Sequence, residues 1–381
     1  MQKNSAMRKV MSIVGTRPEL IKMCRVLALL DQHTQHVLVH TGQNYDFGLN
    51  EVFFRDLEIR QPDYYLGAAG GTAIQTISEV LLGADAVMEK EKPEAVLIYG
   101  DTNSGLAVIA AKRRKIPVFH MEAGNRCFDQ RVPEELNRKV IDHLSDVNMV
   151  LTEHARRYLI AEGLPAELTF KVGSHMEEVL DHFMPKIEAS GAVAQLGLEE
   201  QRFFLVSSHR EENVDSETNL RDLLDALNGL AESYGYPVVV STHPRTQKRL
   251  EALGDLQLDS RIKFLSPFGF LDYVRLQMAA ACVVSDSGTI TEESSLLGIP
   301  AVTVRQAHER PEGMDEGTVV MCGLRRAEVL DAVRFVTSAR TGGLAPARRV
   351  GDYLGGPVSR KVVGIVLSYI DYVNRVVWQK A

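Results

Sequence analysis

The chain has 381 residues, which is too long for one ordinary domain and predicts two, each large enough to bury its own core. Hydrophobic residues make up 45% of the sequence and charged residues 24%, a balance that excludes disordered and fibrous proteins. The formal net charge is −7 with acids and bases interspersed, so no basic stripe is available to bind a nucleic-acid backbone, and we expect no nucleic-acid partner.

The amino terminus and the cysteines restrict the class of protein further. The first residues lack the apolar core and cleavage site of a signal peptide, and no later apolar run approaches a membrane span. We therefore expect a cytoplasmic protein without a membrane partner. The four cysteines are scattered singly, without a CxxC pair or a histidine at ligand spacing, so we expect reduced thiols and no metal site.

From Lys9 onward, short apolar runs alternate with amphipathic stretches of helical length, which is typical of βαβ units on a parallel sheet. The predicted strands of the first half are residues 10–14, 37–41, 95–99, 118–121 and 147–151. The predicted helices of the first half are residues 18–30, 74–91, 104–114, 133–144 and 154–162.

A polar, weakly periodic stretch over 188–201 interrupts this alternation. Strands are predicted again at 203–207, 238–241, 262–265, 282–285 and 300–304, and a last helix at 359–378. The pattern predicts an α/β protein with two Rossmann-like, doubly wound lobes and an active site in the cleft between them. We assign residues 1–174 plus 359–381 to the first lobe and residues 175–358 to the second.

Open parallel sheets bind ligands beyond the carboxyl ends of their strands, so the residues after each strand are the candidates. The first strand ends in Gly15-Thr16-Arg17-Pro18-Glu19, and Lys22 follows one helical turn after Pro18. A dinucleotide fingerprint needs three glycines, and only Gly15 is present, so no NAD site and no cofactor are indicated. Arg17 and Lys22 near a helix amino terminus favour a phosphate, although two solvated cations are an equal alternative.

Three carboxylates follow neighbouring strands or crossovers of the first lobe, at Asp101, Glu122 and Glu134. Each alone has a structural explanation, since an aspartate at a strand end often caps the next helix. Together they lie at one edge of one sheet, with Arg126, Arg131 and Arg138 among them. Crowded carboxylates raise one another's pKa and become usable as acids and bases, so the set favours a catalytic site.

The second lobe has candidate ligand contacts after its own strands. They are His209, Arg210, His243, Ser287, Gly288, Thr289, Glu293 and Arg310. The Ser-Gly-Thr turn opens a helix and offers N–H groups and hydroxyls to a diphosphate, and the glutamate on that helix suits two ribose hydroxyls. A lone histidine is more often structural, but a His-Arg pair opposite a phosphate turn favours ligand contact.

Eight motifs in order resemble those of the non-hydrolysing UDP-N-acetylglucosamine 2-epimerase family: GTRPE, TGQNYD, GDTNS, HMEAGNR, PEELNR, SSHREENV, SDSGTITEES and HERPEGMDEGT. The resemblance covers essentially the whole chain. It implies a glycosyltransferase-B-like fold, a homodimer, and inversion of the carbon that bears the acetamido group of a UDP-linked sugar. It implies catalytic carboxylates at Asp101, Glu122 and Glu134, with Arg138 and His209 in support. It implies UDP contacts at Arg17, His209, Ser287, Gly288, Thr289, Glu293 and Arg310, and places Lys22 where the family has a conserved lysine.

Some positions depart from the family pattern. Thr289 stands where many members have a second glycine. Some bacterial members bind a second, regulatory UDP-N-acetylglucosamine; Gln43 is retained for it, but Asn44-Tyr45-Asp46 and Gly70-Gly71 differ, so that site stays open. The segments AGNRCFDQRVPEE, STHPRT, MDEGTVVMCGL and SYIDYVNRVVW are more similar to the subgroup that makes UDP-N-acetyl-L-fucosamine, or a related 6-deoxy-L-sugar, for capsule and O-antigen.

Three other functions remain as alternatives. A UDP-N-acetylglucosamine/UDP-N-acetylmannosamine 2-epimerase would use the same motifs. A GT-B glycosyltransferase would share the fold and the UDP site but has no evident use for three clustered carboxylates. A catalytically silent UDP-sugar sensor would keep the motifs of the second lobe and could lose the acids, all three of which are present.

Overall fold

The computed structural model describes residues 7–42, 53–254, 257–305, 309–342, 345 and 347–380. Its strands are β1 (Lys9–Val14), β2 (Gln35–His40), β3 (Tyr64–Tyr65), β4 (Ala95–Tyr99), β5 (Val118–Met121), β6 (Val147–Val150), β7 (Thr169–Lys171), β8 (Phe204–Ser207), β9 (Val238–Ser241), β10 (Ile262–Leu265), β11 (Cys282–Ser285), β12 (Ala301–Val304) and β13 (Val320–Cys322). They form two parallel sheets, in the orders β3-β2-β1-β4-β5-β6-β7 and β10-β9-β8-β11-β12-β13. The two-sheet α/β architecture predicted from the sequence is confirmed.

Helices follow most of these strands. They are α1 (Arg17–His33), α2 (Ala73–Glu91), α3 (Val108–Arg113), α4 (Pro133–Leu144), α5 (Glu153–Ala161), α6 (His175–Glu188), α7 (Ala192–Gln195), α8 (Glu211–Val214), α9 (Glu217–Tyr234), α10 (Pro244–Ala252), α11 (Phe270–Ala279), α12 (Ile290–Leu297), α13 (Glu312–Asp315), α14 (Arg326–Ser338) and α15 (Val358–Val376). Within the described residues, none of them is both long and apolar enough to cross a membrane.

The central strands are apolar runs because both faces of each parallel sheet are covered. All five residues of β4 are buried, as are all four of β5 and of β6. In the register of β4 with β5, Tyr99 lies opposite Met121. The two strands therefore end at the same level, and the residues that follow them emerge side by side at one edge of the sheet.

The chain divides into two compact units. Unit 1 comprises residues 1–181 and 352–381, and unit 2 comprises residues 182–351. Both boundaries differ from the predicted ones at 174 and 359, because the first half of α6 is bonded to the segment before α15. Glu177 Oε2 accepts hydrogen bonds from the N–H groups of Gly355 and Gly356 at 2.7 and 2.8 Å. The Glu178 carboxylate likewise accepts from Ser359 N and Oγ.

Some elements have no counterpart in the sequence prediction. The strands β3, β7 and β13 have two or three residues each, too few for a period-two pattern to be visible. The stretch predicted to be polar and irregular contains α7, whose Ala192 and Val193 are buried in the core of unit 2.

Candidate active site

The most unusual backbone position among the candidates is Glu122, directly after β5. Its φ angle is +59°, in the left-handed region that side-chain-bearing residues rarely adopt. Its carboxylate forms an ion pair with Lys22 Nζ and accepts a hydrogen bond of 2.7 Å from the Tyr99 hydroxyl. Lys22 is buried, and its ammonium also lies 5.6 Å from the centre of the Tyr99 ring. A strained conformation of this kind persists only where surrounding contacts hold it, and such positions cluster at functional sites.

Asp101 lies beside Glu122. A Cβ atom added to Gly100 would lie 3.8 Å from Glu122 Oε1, so the Glu122 carboxylate lies over the backbone just before Asp101. Arg138 Nε and Nη2 each lie 2.8 Å from Asp101 Oδ2. Glu134 is four residues before Arg138 in α4, and therefore on the same face of that helix. The structure thus brings Asp101, Glu122 and Arg138 together, with Glu134 on the adjoining helix face.

Glu135, which was not among the site residues predicted from the sequence, holds this arrangement in place. It is fully buried, and its carboxylate accepts from Arg138 Nη1 at 3.1 Å and from Cys127 N at 3.0 Å. Its other oxygen accepts from Phe128 N at 3.3 Å. The double glutamate of the PEELNR motif was the available signal, since both glutamates lie within one helical turn of Arg138.

Glu19 is a second buried acid that the sequence analysis did not identify. Its carboxylate accepts from Gly15 N at 2.5 Å, Thr16 N at 3.1 Å and Thr102 Oγ1 at 2.6 Å. Burial, opposed by these hydrogen bonds, raises the pKa of Glu19 to about 7 from the ordinary value of 4.5. Glu19 is the N3 residue of a capping box with Thr16 at the start of α1. Glu19 therefore joins the β1 turn to the loop that carries Asp101.

Arg17 and Lys22, the two cations at the start of α1 that were predicted to favour a phosphate, have different environments. Arg17 is half-buried, with its guanidinium carbon 5.1 Å from the centre of the Phe53 ring. Lys22 lies against the carboxylate of Glu122, as described above, which makes it part of the acid cluster rather than a solvated cation. Gln43, the candidate for a regulatory sugar site, lies outside the described residues.

A buried ionic network supports the loop that follows β5. Asp142 is fully buried and accepts from Arg126 Nη1 at 2.7 Å, while its Oδ1 lies 2.8 Å from His120 Nδ1. Burial acts to raise the pKa of Asp142, but the His120 hydrogen bond and the Arg126 charge outweigh it and lower the pKa. His120 Nε2 lies 2.7 Å from the Gly100 carbonyl, so the network also positions the loop before Asp101.

In unit 2, the candidates after β8 are held by one buried carboxylate, Asp286. It accepts from Ser208 Oγ at 2.7 Å and from the backbone N–H groups of His209 and Arg210 at 3.0 Å. Asn213 Nδ2 adds a fourth bond at 3.1 Å. The His209 ring remains exposed, with Nδ1 3.4 Å from Asp286 Oδ1. Asp286 follows β11 directly, a position that could have identified it from the sequence.

The predicted phosphate turn, Ser287 to Thr289, leads into α12. Ser287 Oγ and Thr289 Oγ1 lie 3.0 Å apart. Arg310 Nη1 donates to the Gly288 carbonyl at 3.1 Å, and its Nη2 lies 2.8 Å from Glu292 Oε1. A Cβ at Gly288 would lie 3.2 Å from both the Arg310 guanidinium and Glu309 Oε2, and 3.7 Å from the Arg210 guanidinium. The absence of a side chain therefore leaves two guanidinium groups next to the turn.

The remaining candidates of unit 2 lie around this turn. Glu293, in α12, is buried and accepts a hydrogen bond of 2.6 Å from Gln277 Nε2. His243 caps α10 by accepting from Arg245 N, and its ring centre lies 6.3 Å from that of His209. The turn, the two histidines and the arginines suit a ligand with a diphosphate.

Comparison with known proteins agrees with this chemistry. The family model of UDP-N-acetylglucosamine 2-epimerase matches residues 28–367. A UDP-2,3-diacetamido-2,3-dideoxy-D-glucuronate 2-epimerase from Pseudomonas aeruginosa is 36% identical over 359 residues, which cover 91% of this chain and 99% of the relative.

Solved structures resemble the whole chain. The UDP-N-acetylglucosamine 2-epimerase from Rickettsia bellii is 58% identical, with a TM-score of 0.92 over 98% of this chain and 100% of that one. The Methanocaldococcus jannaschii UDP-GlcNAc 2-epimerase, solved in complex with UDP-GlcNAc and UDP, is 30% identical, with a TM-score of 0.87 over 94% and 99%. The two α/β units thus form a glycosyltransferase-B-like fold. This chain belongs to the UDP-N-acetylglucosamine 2-epimerase family, and it is an isomerase of the non-hydrolysing kind.

Proposed function

We propose that the protein inverts C2 of a UDP-linked 2-acetamido sugar by elimination and re-addition of UDP. The observation that carries the proposal is Glu122, held in a left-handed conformation at a sheet edge with its carboxylate bonded to Lys22 and Tyr99. Asp101 lies beside it, in contact with Arg138. A site with acids next to fixed cations suits proton removal and return.

The chemistry follows from the substrate. The hydrogen on C2 of a glycoside has no adjacent carbonyl and is not acidic enough for simple removal and return. If a base takes this proton while the anomeric C–O bond breaks, the electron pair forms the C1–C2 double bond of a 2-acetamidoglycal and UDP leaves with the bridging oxygen. Re-addition of UDP to C1, with a proton delivered to the other face of C2, gives the epimer.

The residues divide this work by their chemistry. We assign proton transfer at C2 to Asp101, Glu122 and Glu134. We assign the departing diphosphate to cations and hydrogen-bond donors, because negative charge grows there as the anomeric bond breaks. These are Arg17, His209, Arg210, Arg310 and the turn from Ser287 to Thr289, with Glu293 for the ribose and with His243 and Lys22 nearby. Gln43 is assigned to sugar or UDP binding on the family motif alone.

The mechanism is tested by incubating the protein with the UDP-sugar alone in deuterated water. We expect deuterium at C2 of the product by proton NMR, exchange of an ¹⁸O label between the anomeric bridge and the diphosphate, and traces of free UDP and glycal. Product that keeps its original C2 hydrogen and bridging oxygen contradicts the mechanism. UDP-sugar bound and returned unchanged supports a sensor, and turnover only with an added acceptor supports a glycosyltransferase.

The catalytic assignment is tested by amide substitutions. We expect Asp101→Asn, Glu122→Gln and Glu134→Gln each to keep UDP binding and to lower turnover about a hundredfold or more, as for loss of a proton-transfer group. Glu167→Gln is the matched control, because Glu167 is an exposed glutamate of unit 1. Near-normal turnover in all three variants would remove these residues from the mechanism.

For the substrate, we infer UDP-N-acetyl-L-fucosamine, or a related 6-deoxy-L-sugar, as the product, destined for capsule or O-antigen. Four sequence segments support this, including AGNRCFDQRVPEE around the Glu122 loop. The alternative substrate pair is UDP-N-acetylglucosamine and UDP-N-acetylmannosamine, which the names of the Rickettsia and Methanocaldococcus proteins favour. The substrate is tested by assaying conversion of three UDP-linked sugars: N-acetylglucosamine, the 6-deoxy-L-sugar and a 2,3-diacetamido glucuronate. Conversion of UDP-N-acetylglucosamine without conversion of the 6-deoxy-L-sugar overturns our inference.

We expect a cytoplasmic homodimer. In unit 1, α3 packs against both α2 and α4, and each of the three helices exposes an apolar side chain: Leu82, Ile109 and Val140. Leu82 is 73% exposed, which suits a face covered by a second copy. Light scattering should give twice the 42.3 kDa chain mass, and Leu82→Asp should shift it toward one chain. A monomeric wild type would contradict the dimer, and recovery of the protein in the membrane fraction would contradict the location.

A further inference from the structure

Unit 2 contains a cavity of about 490 Å³ that the proposed reaction does not use. Residues 299–301, where the chain enters β12, form part of its wall. Arg340, also in the wall, donates from Nη1 to the carbonyls of Ala280 and Ala281, just before β11. Parallel strands start at one edge of the sheet and end at the other. This amino-edge cavity is therefore on the opposite edge from the Ser287 turn, which follows the end of β11.

The wall of the amino-edge cavity is positively charged. Its described lining residues include three arginines, Arg340, Arg348 and Arg349, and one acid, Glu316. The protein as a whole has 50 acids and 43 lysines and arginines, so this local excess runs against its net charge. A volume of this size suits a small organic ligand.

Among the described residues, the three arginines have no acidic partner. Across the residues that the structure describes, no carboxylate lies within ion-pair distance of Arg340, Arg348 or Arg349, and Arg340 donates only to backbone carbonyls. The arginines of α14 differ: Arg334 Nη1 lies 3.2 Å from Asp331, and Arg326 contacts acids on α9. Partial burial lowers the pKa of Arg340. Guanidinium groups arranged in this way suit a phosphate, which accepts two hydrogen bonds from each.

The same cavity has an apolar wall. Phe335, on α14, lines it and is 54% exposed, which is unusual for a phenylalanine. Ala345 and Ala347 add further apolar surface. An exposed aromatic ring next to cations favours a ligand that combines a flat ring with an anionic group.

One helix joins the amino-edge cavity to the phosphate turn. α12 begins directly after Thr289, and its eight residues span about 12 Å at 1.5 Å per residue. Ser294 and Ser295, in the second half of this helix, line the cavity. Between the turn and these serines, Glu292 pairs with Arg310, the cation next to Gly288. A ligand that shifts the carboxyl end of α12 would therefore move groups assigned to UDP.

We propose that the amino-edge cavity binds a ring compound with a phosphate group, such as a mononucleotide, and that its occupancy changes the affinity for UDP. The binding part goes beyond the proposed function. The coupling part rests on the proposed role of the Ser287 turn. Coupling of this kind is reciprocal, so UDP should change the affinity for the second ligand by the same factor.

The test is calorimetric titration of the full-length protein with adenosine 5′-monophosphate after saturation with UDP, so that the UDP site is occupied. We expect one mononucleotide bound per chain, with adenosine at least tenfold weaker because it lacks the phosphate. Arg340→Gln and the double variant Arg348→Gln/Arg349→Gln should each weaken binding about tenfold or more. Arg334→Gln is the matched control, since Arg334 is exposed on α14 and paired with Asp331.

Several results would overturn the proposal. These are absence of mononucleotide binding in the UDP-saturated protein, unchanged binding in both arginine variants, or equal weakening in Arg334→Gln. Thermal unfolding of each variant shows whether it is folded. Arg348 and Arg349 are exposed, so we expect the double variant to fold, and it tests the proposal even if Arg340→Gln does not fold. The coupling fails if the UDP affinity, measured first alone, is the same with and without the mononucleotide. Because UDP binding is measured independently, a failure of the epimerase proposal is distinguished from a failure of this one.

Discussion

Glu19 links the packing of unit 1 to a measurable pH dependence of stability. Its carboxylate is enclosed next to the turn that follows β1, and burial raises its pKa to about 7. In an unfolded chain the same group has its ordinary pKa of 4.5. Because the folded pKa is the higher one, the native state binds more protons than the unfolded state between these values. The free energy of unfolding therefore falls as the pH rises through this window.

The size of the effect follows from the interval. At about 1.4 kcal/mol per pH unit, the contribution of Glu19 to the free energy of unfolding drops by about 3 kcal/mol from pH 4.5 to pH 7. Below pH 4.5 the contribution is fully present, and above pH 7 it is lost. Glu19→Gln keeps the shape and an acceptor for Gly15 and Thr16 but removes the titration. Between pH 4.5 and pH 7, the free energy of unfolding of this variant should therefore rise by about 3 kcal/mol relative to that of the wild type.

Urea unfolding followed by tryptophan fluorescence measures this difference. Trp378 is the only tryptophan, and it lies in unit 1 with Glu19, its ring 4.5 Å from Lys112 Nζ. Glu79→Gln is the control, because Glu79 is an exposed glutamate of unit 1 on α2. If the free-energy difference between Glu19→Gln and wild type stays constant within about 0.5 kcal/mol from pH 5 to pH 7.5, Glu19 does not have a raised pKa in the folded protein.

Three further substitutions test the other buried contacts. Asp286→Asn should lower the free energy of unfolding of unit 2 by about 2–4 kcal/mol, because four donors lose a charged acceptor. Urea unfolding followed by circular dichroism measures this loss, and an unchanged unfolding midpoint refutes the prediction. Asp142→Ala should lower the free energy of unfolding of unit 1 by about 3–5 kcal/mol, because the buried Arg126 charge loses one of its partners. Urea unfolding followed by Trp378 fluorescence measures the loss, and a value under about 1 kcal/mol contradicts this. Gly15→Ala should lower the melting temperature by calorimetry, because its Cβ would lie 2.0 Å from Ser104 Oγ; an unchanged melting temperature contradicts the close approach.

Most of the fold was predictable from local patterns. The strands before Asp101 and Glu122 have the predicted bounds, because a strand buried on both faces must be a short apolar run. Parallel strands end at the same edge, so the proximity of these two acids followed from their positions after β4 and β5. The turn from Ser287 to Thr289 was predictable for the same reason. The three shortest strands were not, because two or three residues carry no measurable periodicity.

The sequence by itself therefore determined the two-sheet architecture, the sheet edges and the residue types gathered there. Only the tertiary structure decided which charges meet. Lys22 pairs with Glu122, 100 positions away, and the fully buried Glu135 accepts a hydrogen bond from Arg138. Glu122 also has a left-handed backbone that its neighbours in sequence do not dictate. The physical reason is that periodicity fixes which face of an element is buried, whereas the partner and the protonation of a buried charge depend on what the whole fold packs around it.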